Sequence, residues 1–175
     1  MFSESGKMTK LKPTHQRILS ETAARIFEDA AFAFADESRA ETEPQGILSE
    51  IGAAVDFSGD FAGTLALTAP EELATVLAAN MLGVEEGDPE ATEKPADALG
   101  EIVNMICGNF LPAVAGDRAE FRIGAPRSVK ASVCRRAVSA PVEVGSMAMC
   151  SLIIEDRLVD VFVFMDGHPA RGLAE

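Results

Sequence analysis

The chain has 175 residues, of which 47% are apolar, and its 15 basic and 28 acidic side chains give a formal net charge of −13. This length and this apolar content fit one domain with a sizeable core and exclude an intrinsically disordered chain. The negative charge repels polyanions, so nucleic acid is not expected as a partner.

The N-terminal part of the sequence predicts a tail and then a helix. Residues 1–12 are expected to be a flexible tail, residues 13–166 the folded domain, and residues 167–175 a C-terminal tail. Pro13 opens a segment in which apolar residues recur at helical spacing as far as Phe34. The acidic stretch that follows is expected to end this helix.

A β-hairpin and a second helix are predicted next. From Ile47 the apolar residues alternate along the chain, with a turn pattern at residues 58–60, which predicts two antiparallel strands. Thr68, followed three residues later by Glu71, forms a capping-box pattern. We therefore expect a helix that begins after Thr68 and ends at Gly83, because glycine is favoured just beyond a helix C-terminus.

The remaining segments favour mostly strands. Residues 85–93 are acidic and loop-like, and short extended pieces are expected at residues 121–123 and 129–133. Residues 142–154 and 158–165 predict a long hairpin. Its second strand is apolar on both faces, which indicates an interior strand or one at a subunit contact. With a third helix before these strands, the order predicts an α+β fold, an antiparallel β-sheet with helices packed on it.

Motifs of several common enzyme classes are absent from the sequence. There is no Gly-x-Gly-x-x-Gly, no phosphate-binding loop and no Gly-x-Ser-x-Gly elbow, and the two histidines lie near the termini. Cys107, Cys134 and Cys150 are too widely spaced to predict a metal site or a disulfide framework, so we expect free thiols. We also expect a cytoplasmic protein without membrane insertion, because no signal peptide and no apolar run of about 18 residues is evident.

The third helix, predicted from Pro95 to Phe110, carries a narrow polar stripe. At about 100° per residue, Asp97, Glu101, Asn104 and Gly108 fall on one side and the large apolar residues fall on the other. A glycine inside a helix costs about 1 kcal/mol relative to alanine, so its presence on this stripe favours close approach by a partner. Taken alone, the stripe is more typical of a solvated helix face than of a functional site.

The pattern Asp97-x-x-x-Glu101-x-x-Asn104 resembles the D/S-x3-E-x2-N signature of the CheC, CheX and FliY chemotaxis phosphatases. Residues 57–63, Phe-Ser-Gly-Asp-Phe-Ala-Gly, resemble the hairpin of that family, and residues 72–83 resemble its helix ending in Met-Leu-Gly. One copy of the signature is present, which favours the CheX branch. The resemblance implies a CheC/CheX-like fold and a homodimer whose sheets join edge to edge.

The resemblance also implies an activity, which is hydrolysis of the aspartyl phosphate on the receiver domain of a phosphorylated response regulator. Mg²⁺ is expected in the receiver, with no cofactor or metal site in this chain. Asn104 would orient the attacking water, Glu101 would pair with the receiver's active-site lysine, and Asp97 and Gly108 would assist docking. Two alternatives stay open: a module that binds a receiver without turnover, and a structural oligomer whose polar stripe only faces solvent.

Overall fold

The structure, a computed structural model, describes residues 10–37, 50–139 and 145–166. The helices are α1 (Pro13–Ala31), α2 (Glu71–Leu82), α3 (Pro89–Thr92), α4 (Pro95–Ala115) and α5 (Ala131–Val138). The strands are β1 (Ala35–Glu37), β2 (Glu50–Gly59), β3 (Gly63–Pro70), β4 (Phe121–Ile123), β5 (Arg127–Lys130), β6 (Met147–Ile154) and β7 (Arg157–Met165).

The strands form one antiparallel sheet in the order β1-β6-β7-β3-β2-β4, and β5 also pairs with β2. β2 and β3 form the predicted hairpin, with Ala53 opposite Leu67. β6 and β7 form the second hairpin, in which Glu155 and Asp156 make the turn with positive φ angles of 49° and 57°. The predicted α+β architecture, an antiparallel sheet with helices packed on it, is confirmed.

Helices cover both faces of this sheet. On one face α1, α2 and α4 enclose the main core together with apolar residues of β2, β3, β6 and β7. On the other face α5 buries Cys134 and Ala137 in a smaller cluster with Phe162 and Phe164 of β7. The alternation within β7 thus sends aromatic rings to one side, where the two rings stack with centroids 5.9 Å apart, and valines to the other.

This arrangement explains why β7 is apolar on both faces. It lies between β6 and β3, so it is an interior strand and not a sheet edge. Of the two predicted explanations the interior strand is confirmed. The apolar composition of β7 therefore provides no support for a subunit contact.

Several predicted helix boundaries are wrong. Thr68 does not cap α2, because it is buried in β3 opposite Asp160 and the strand continues to Pro70, which precedes the helix. α1 ends at Ala31, since the next residue adopts a left-handed conformation that stops the helix. Phe34 therefore lies outside α1, and 75% of its surface is exposed.

The extended segment expected at residues 129–133 is correct only as far as Lys130, where β5 ends and α5 follows. Ala131, Cys134 and Ala137 of α5 are buried at three-residue spacing. Packing of this face onto the sheet outweighs the strand preference of the β-branched valines in this segment.

Besides α5, two short elements are not predicted from the sequence. β1 pairs with β6, with Ala35 opposite Ile154, so it depends on a partner distant in the chain. The acidic segment 85–93 contains α3, where the Asp88 side chain accepts a hydrogen bond from the N–H of Glu90 at 2.9 Å.

The predicted tails are only partly described. Leu11 is buried in the core, and its N–H donates to the carbonyl oxygen of Gly145 at 2.7 Å, so this residue belongs to the packed domain. Residues 1–9 and 167–175 lie outside the described residues, as do the predicted strand residues 142–144.

Candidate functional site

The candidate site lies on α4, which is anchored to the domain by its apolar side. The fully buried side chains of this helix contact the sheet and the flanking helices α1 and α2; they are Leu99, Ile102, Val103, Ile106 and Phe110. α4 continues to Ala115, five residues beyond the predicted end, and contains Pro112 in its last turns. An anchored helix about 30 Å long is a rigid support for side chains on its other side.

Among the described residues, one helix is long and apolar enough to cross a bilayer, and it is α4. Half of that apolar stretch is buried inside the domain. Packing against the sheet therefore accounts for its composition.

The structure brings the four predicted site residues to one side of α4. Asp97, Glu101 and Gly108 are exposed, and Asn104 is half-buried. Because these residues are three or four positions apart, they lie on successive turns of one helix face. We call this set the polar stripe.

Asn104 differs from the other two asparagines of the chain. The amide of Asn80 donates to the carbonyl oxygen of Ala31 at 2.9 Å, and the side-chain oxygen of Asn109 accepts from Arg25 at 3.3 Å. Within residues 10–37, 50–139 and 145–166, the Asn104 carboxamide has no hydrogen-bond partner. It is therefore available to hold a water molecule or a group of a partner.

The carboxylates of the stripe also lack a counter-charge among the described residues. Neither Asp97 nor Glu101 forms an ion pair with another described residue. The guanidinium of Arg127, on the β5 side of α4, is instead engaged by Asp56 through contacts of 3.0 and 3.3 Å. Asp56 also accepts a hydrogen bond of 2.6 Å from Thr64. The stripe thus presents negative charge that a cation of a partner could neutralise.

A groove of about 280 Å³ separates the stripe from the segment between β4 and β5. Asp97 and Glu101 line one of its walls, and Pro126 lines the other. A Cβ atom at Gly100 would lie only 3.1 Å from Cβ of Pro126, so the glycine permits this close contact. The sequence does not reveal this wall, because contacts between distant segments leave no local pattern.

Neither Cys107 nor Cys134 is suited to act as a nucleophile. Burial raises the pKa of Cys107, on the core side of α4, from 9.0 to about 12. Burial is also the main cause that raises the pKa of Cys134 to about 11. Both thiols are protonated at neutral pH and so are not nucleophiles. In the described residues no group of three or more His, Cys, Asp or Glu side chains could hold a metal ion.

Comparison with known proteins identifies the family. Residues 51–144, just over half of the chain, match the family model for the chemotaxis phosphatase CheX. The chain belongs to the CheX family. The resemblance noted in the sequence is confirmed, and the family is one of phosphatases that act on phosphorylated CheY.

Solved structures of CheX proteins share the fold. CheX from Desulfovibrio desulfuricans is 15% identical with a TM-score of 0.63, over 87% of this chain and 99% of that one. CheX from Vibrio vulnificus is 18% identical with a TM-score of 0.63, over 87% and 99%. The CheX–CheY–BeF3–Mg²⁺ complex from Borrelia burgdorferi matches at 16% identity and a TM-score of 0.63, over 86% and 97%. No curated protein sequence matches.

These likenesses show that the expected CheC/CheX-like fold is correct. With identities below one fifth, they extend to the fold and not to individual side chains. The roles of the polar stripe residues therefore have to be inferred from the side chains of this chain itself.

The hydrogen-bond pattern predicts different stabilities for two asparagine variants. Asn104→Ala should change the free energy of unfolding by less than about 0.5 kcal/mol, because it removes no hydrogen bond to a described residue and alanine favours the helix. Asn80→Ala should cost about 1 kcal/mol or more, since it leaves the Ala31 carbonyl without its donor. Urea unfolding of both variants tests this, and an equal loss in both would contradict it.

Proposed function

We propose that this chain is a phosphatase that hydrolyses the aspartyl phosphate on the receiver domain of a response regulator. The observation that carries the proposal is the carboxamide of Asn104, which has no hydrogen-bond partner among the described residues. It is held on an anchored helix one turn from the carboxylate of Glu101, which has no ion-pair partner among them. Membership of the CheX family supports the reaction. The CheX–CheY–BeF3–Mg²⁺ complex of a relative supports a receiver as the substrate.

In this proposal Asn104 positions the water that attacks phosphorus. An amide can accept a hydrogen bond from water and donate one to a phosphoryl oxygen without changing charge. Attack breaks the bond between phosphorus and the aspartate oxygen, which releases phosphate and returns a free carboxylate to the receiver. Holding the water in line with the breaking bond can lower the barrier by several kcal/mol. Because Asn104 is half-buried, its side chain has fewer rotamers available.

Glu101 is proposed to dock the receiver by pairing with its active-site lysine. Its carboxylate is exposed, so a partner that covers it removes both charges from water and strengthens their attraction. Mg²⁺ is proposed to belong to the receiver, where it neutralises charge on the phosphoryl group. No metal or cofactor of this chain takes part in the proposal. Asp97 extends the acidic side of the stripe and is proposed to assist docking.

Gly108 is proposed to let the receiver approach the helix backbone. A Cβ atom added to this glycine would meet the tip of the Ile123 side chain at 3.9 Å, which is an ordinary contact distance. Four residues later, Pro112 has no N–H, so the carbonyl oxygen of Gly108 lacks its normal helical donor. This exposed residue therefore combines the absence of a side chain with a backbone acceptor that a receiver group could satisfy.

A homodimer and a cytoplasmic location, both expected from the sequence, stay predictions of this proposal. The sheet has its edges at β1 and at β4 and β5, so edge-to-edge pairing would involve those strands. Sedimentation measurements would test the dimer directly.

Asn104→Ala should reduce phosphate release from a cognate phosphorylated receiver by at least about 100-fold, because the attacking water loses its positioning group. Asn109→Ala is the matched control, since its amide is used in contacts within the domain and should leave turnover nearly unchanged. Release of inorganic phosphate from a panel of phosphorylated receivers with Mg²⁺ measures both. Unchanged turnover in Asn104→Ala would refute the catalytic role, and binding without turnover by the wild type would favour a binding module.

Glu101→Ala should raise the KM for the receiver about tenfold or more, because a charge pair buried in the complex is lost. Glu28→Ala, which removes an exposed acid from α1, controls for net charge and should have little effect. The salt dependence of KM should become weaker in Glu101→Ala than in the control. Identical KM values for the two variants would rule out the docking role.

Pro112→Ala should stabilise α4, because alanine restores an N–H that can satisfy the Gly108 carbonyl. For the same reason it should raise the KM for the receiver several-fold. Gly108→Ala should also raise KM, since its added methyl group fits the domain but lies on the docking face. Thermal unfolding and steady-state turnover are measured on both variants. If Pro112→Ala gains stability with an unchanged KM, the carbonyl is not a docking group.

A further inference from the structure

A second groove borders the polar stripe on its other side, between α2, α3 and α4. It has a volume of about 440 Å³, and its apolar floor consists of Ala78, Met81, Leu82 and Ala98. The two alanines are buried where the helices pack, so the floor is part of the folded domain. Leu82, at the end of α2, keeps 53% of its surface exposed. Burying such a side chain against a partner is favourable, because it removes apolar surface from water.

Acidic residues surround this apolar floor. The lining side chains include the carboxylates of Glu90, Glu93, Asp97 and Glu101, against the single ammonium of Lys94. All five are exposed, and none forms an ion pair with another described residue. The groove therefore combines an apolar floor with an excess of negative charge. A complementary occupant carries an apolar side chain next to lysine or arginine.

The groove is continuous with the polar stripe, because Asp97 and Glu101 line both. A partner whose phosphorylated pocket receives Asn104 would extend over one flank of α4. The flank at Pro126 offers Arg127, which is already neutralised by Asp56. The α2–α4 flank offers uncompensated acid and unburied apolar surface, so it has more to gain from contact.

We propose, resting on the proposed function, that the groove between α2, α3 and α4 binds a segment of the receiver beside its phosphorylation site. That segment carries an apolar side chain flanked by basic residues. In this proposal the stripe contacts the receiver's phosphorylated aspartate and active-site lysine. The groove contacts the receiver surface next to them, which can differ between receivers. The groove is then the part of this chain that selects which receiver it accepts.

The test compares charge reversal inside and outside the groove. Glu90→Lys with Glu93→Lys should raise the KM for the best receiver of the phosphorylated panel about tenfold and leave kcat within twofold. Glu85→Lys with Glu86→Lys is the matched control, because it makes the same charge change at exposed residues of the same segment that do not line the groove. Leu82→Gln should raise KM several-fold, with Val138→Gln, at an exposed valine of α5, as its control.

Binding of a beryllofluoride-loaded receiver with Mg²⁺ is measured on the same variants to separate the two proposals. Equal KM and Kd values in the groove variants and their controls overturn the groove while phosphatase activity stands. If the wild type binds the loaded receiver but does not release phosphate from the phosphorylated one, the proposed function fails. In that case a Kd raised only by the groove variants still supports the groove, and an unchanged Kd overturns it. A rise in KM with every receiver by the same factor contradicts its role in selection.

Discussion

The site of this protein depends on the burial of one side of α4 against the β-sheet. Ile102 and Phe110 and their apolar neighbours hold the helix in place, so the opposite side can carry side chains that form no hydrogen bond or ion pair with another described residue. A side chain without partners usually has many rotamers, and fixing it costs conformational entropy. An immobile backbone and half-burial reduce this cost for Asn104. Packing in the core thus fixes the position of the helix, and the polar stripe carries the side chains that can contact a partner.

The groups of the polar stripe suit positioning and docking. Its groups are an amide, two carboxylates and a glycine, while the thiol of Cys107 faces the core with a raised pKa. Substrates that bring their own electrophilic activation suit a site of this kind. A phosphorylated receiver does so, since the metal ion and the cation that stabilise the phosphoryl group are proposed to lie in the receiver itself. The acidic surface of this chain, with a net charge of −13, complements those cations.

Local sequence patterns predicted the elements whose partners are close in the chain. The β2–β3 and β6–β7 hairpins followed from alternation and turn residues, and the end of α2 followed from Gly83. Local patterns misled where a distant contact decided the outcome. Thr68 matched a capping box, but pairing of β3 with β7 keeps it in the sheet. α5 and β1 were missed for the same reason, because each is stabilised by a surface assembled from remote segments.

The sequence alone determined the composition of the polar stripe, because the 3.6-residue period places Asp97, Glu101, Asn104 and Gly108 on one helix face whatever surrounds the helix. It also carried the resemblance to the CheX family through the spacing of those residues. Only the tertiary structure decided that the Asn104 amide has no hydrogen-bond partner among the described residues, while the amides of Asn80 and Asn109 have partners. It also decided that the stripe lies between two grooves. The hydrogen bond between Arg25 and Asn109 joins residues 84 positions apart, and no local period encodes contacts of this kind.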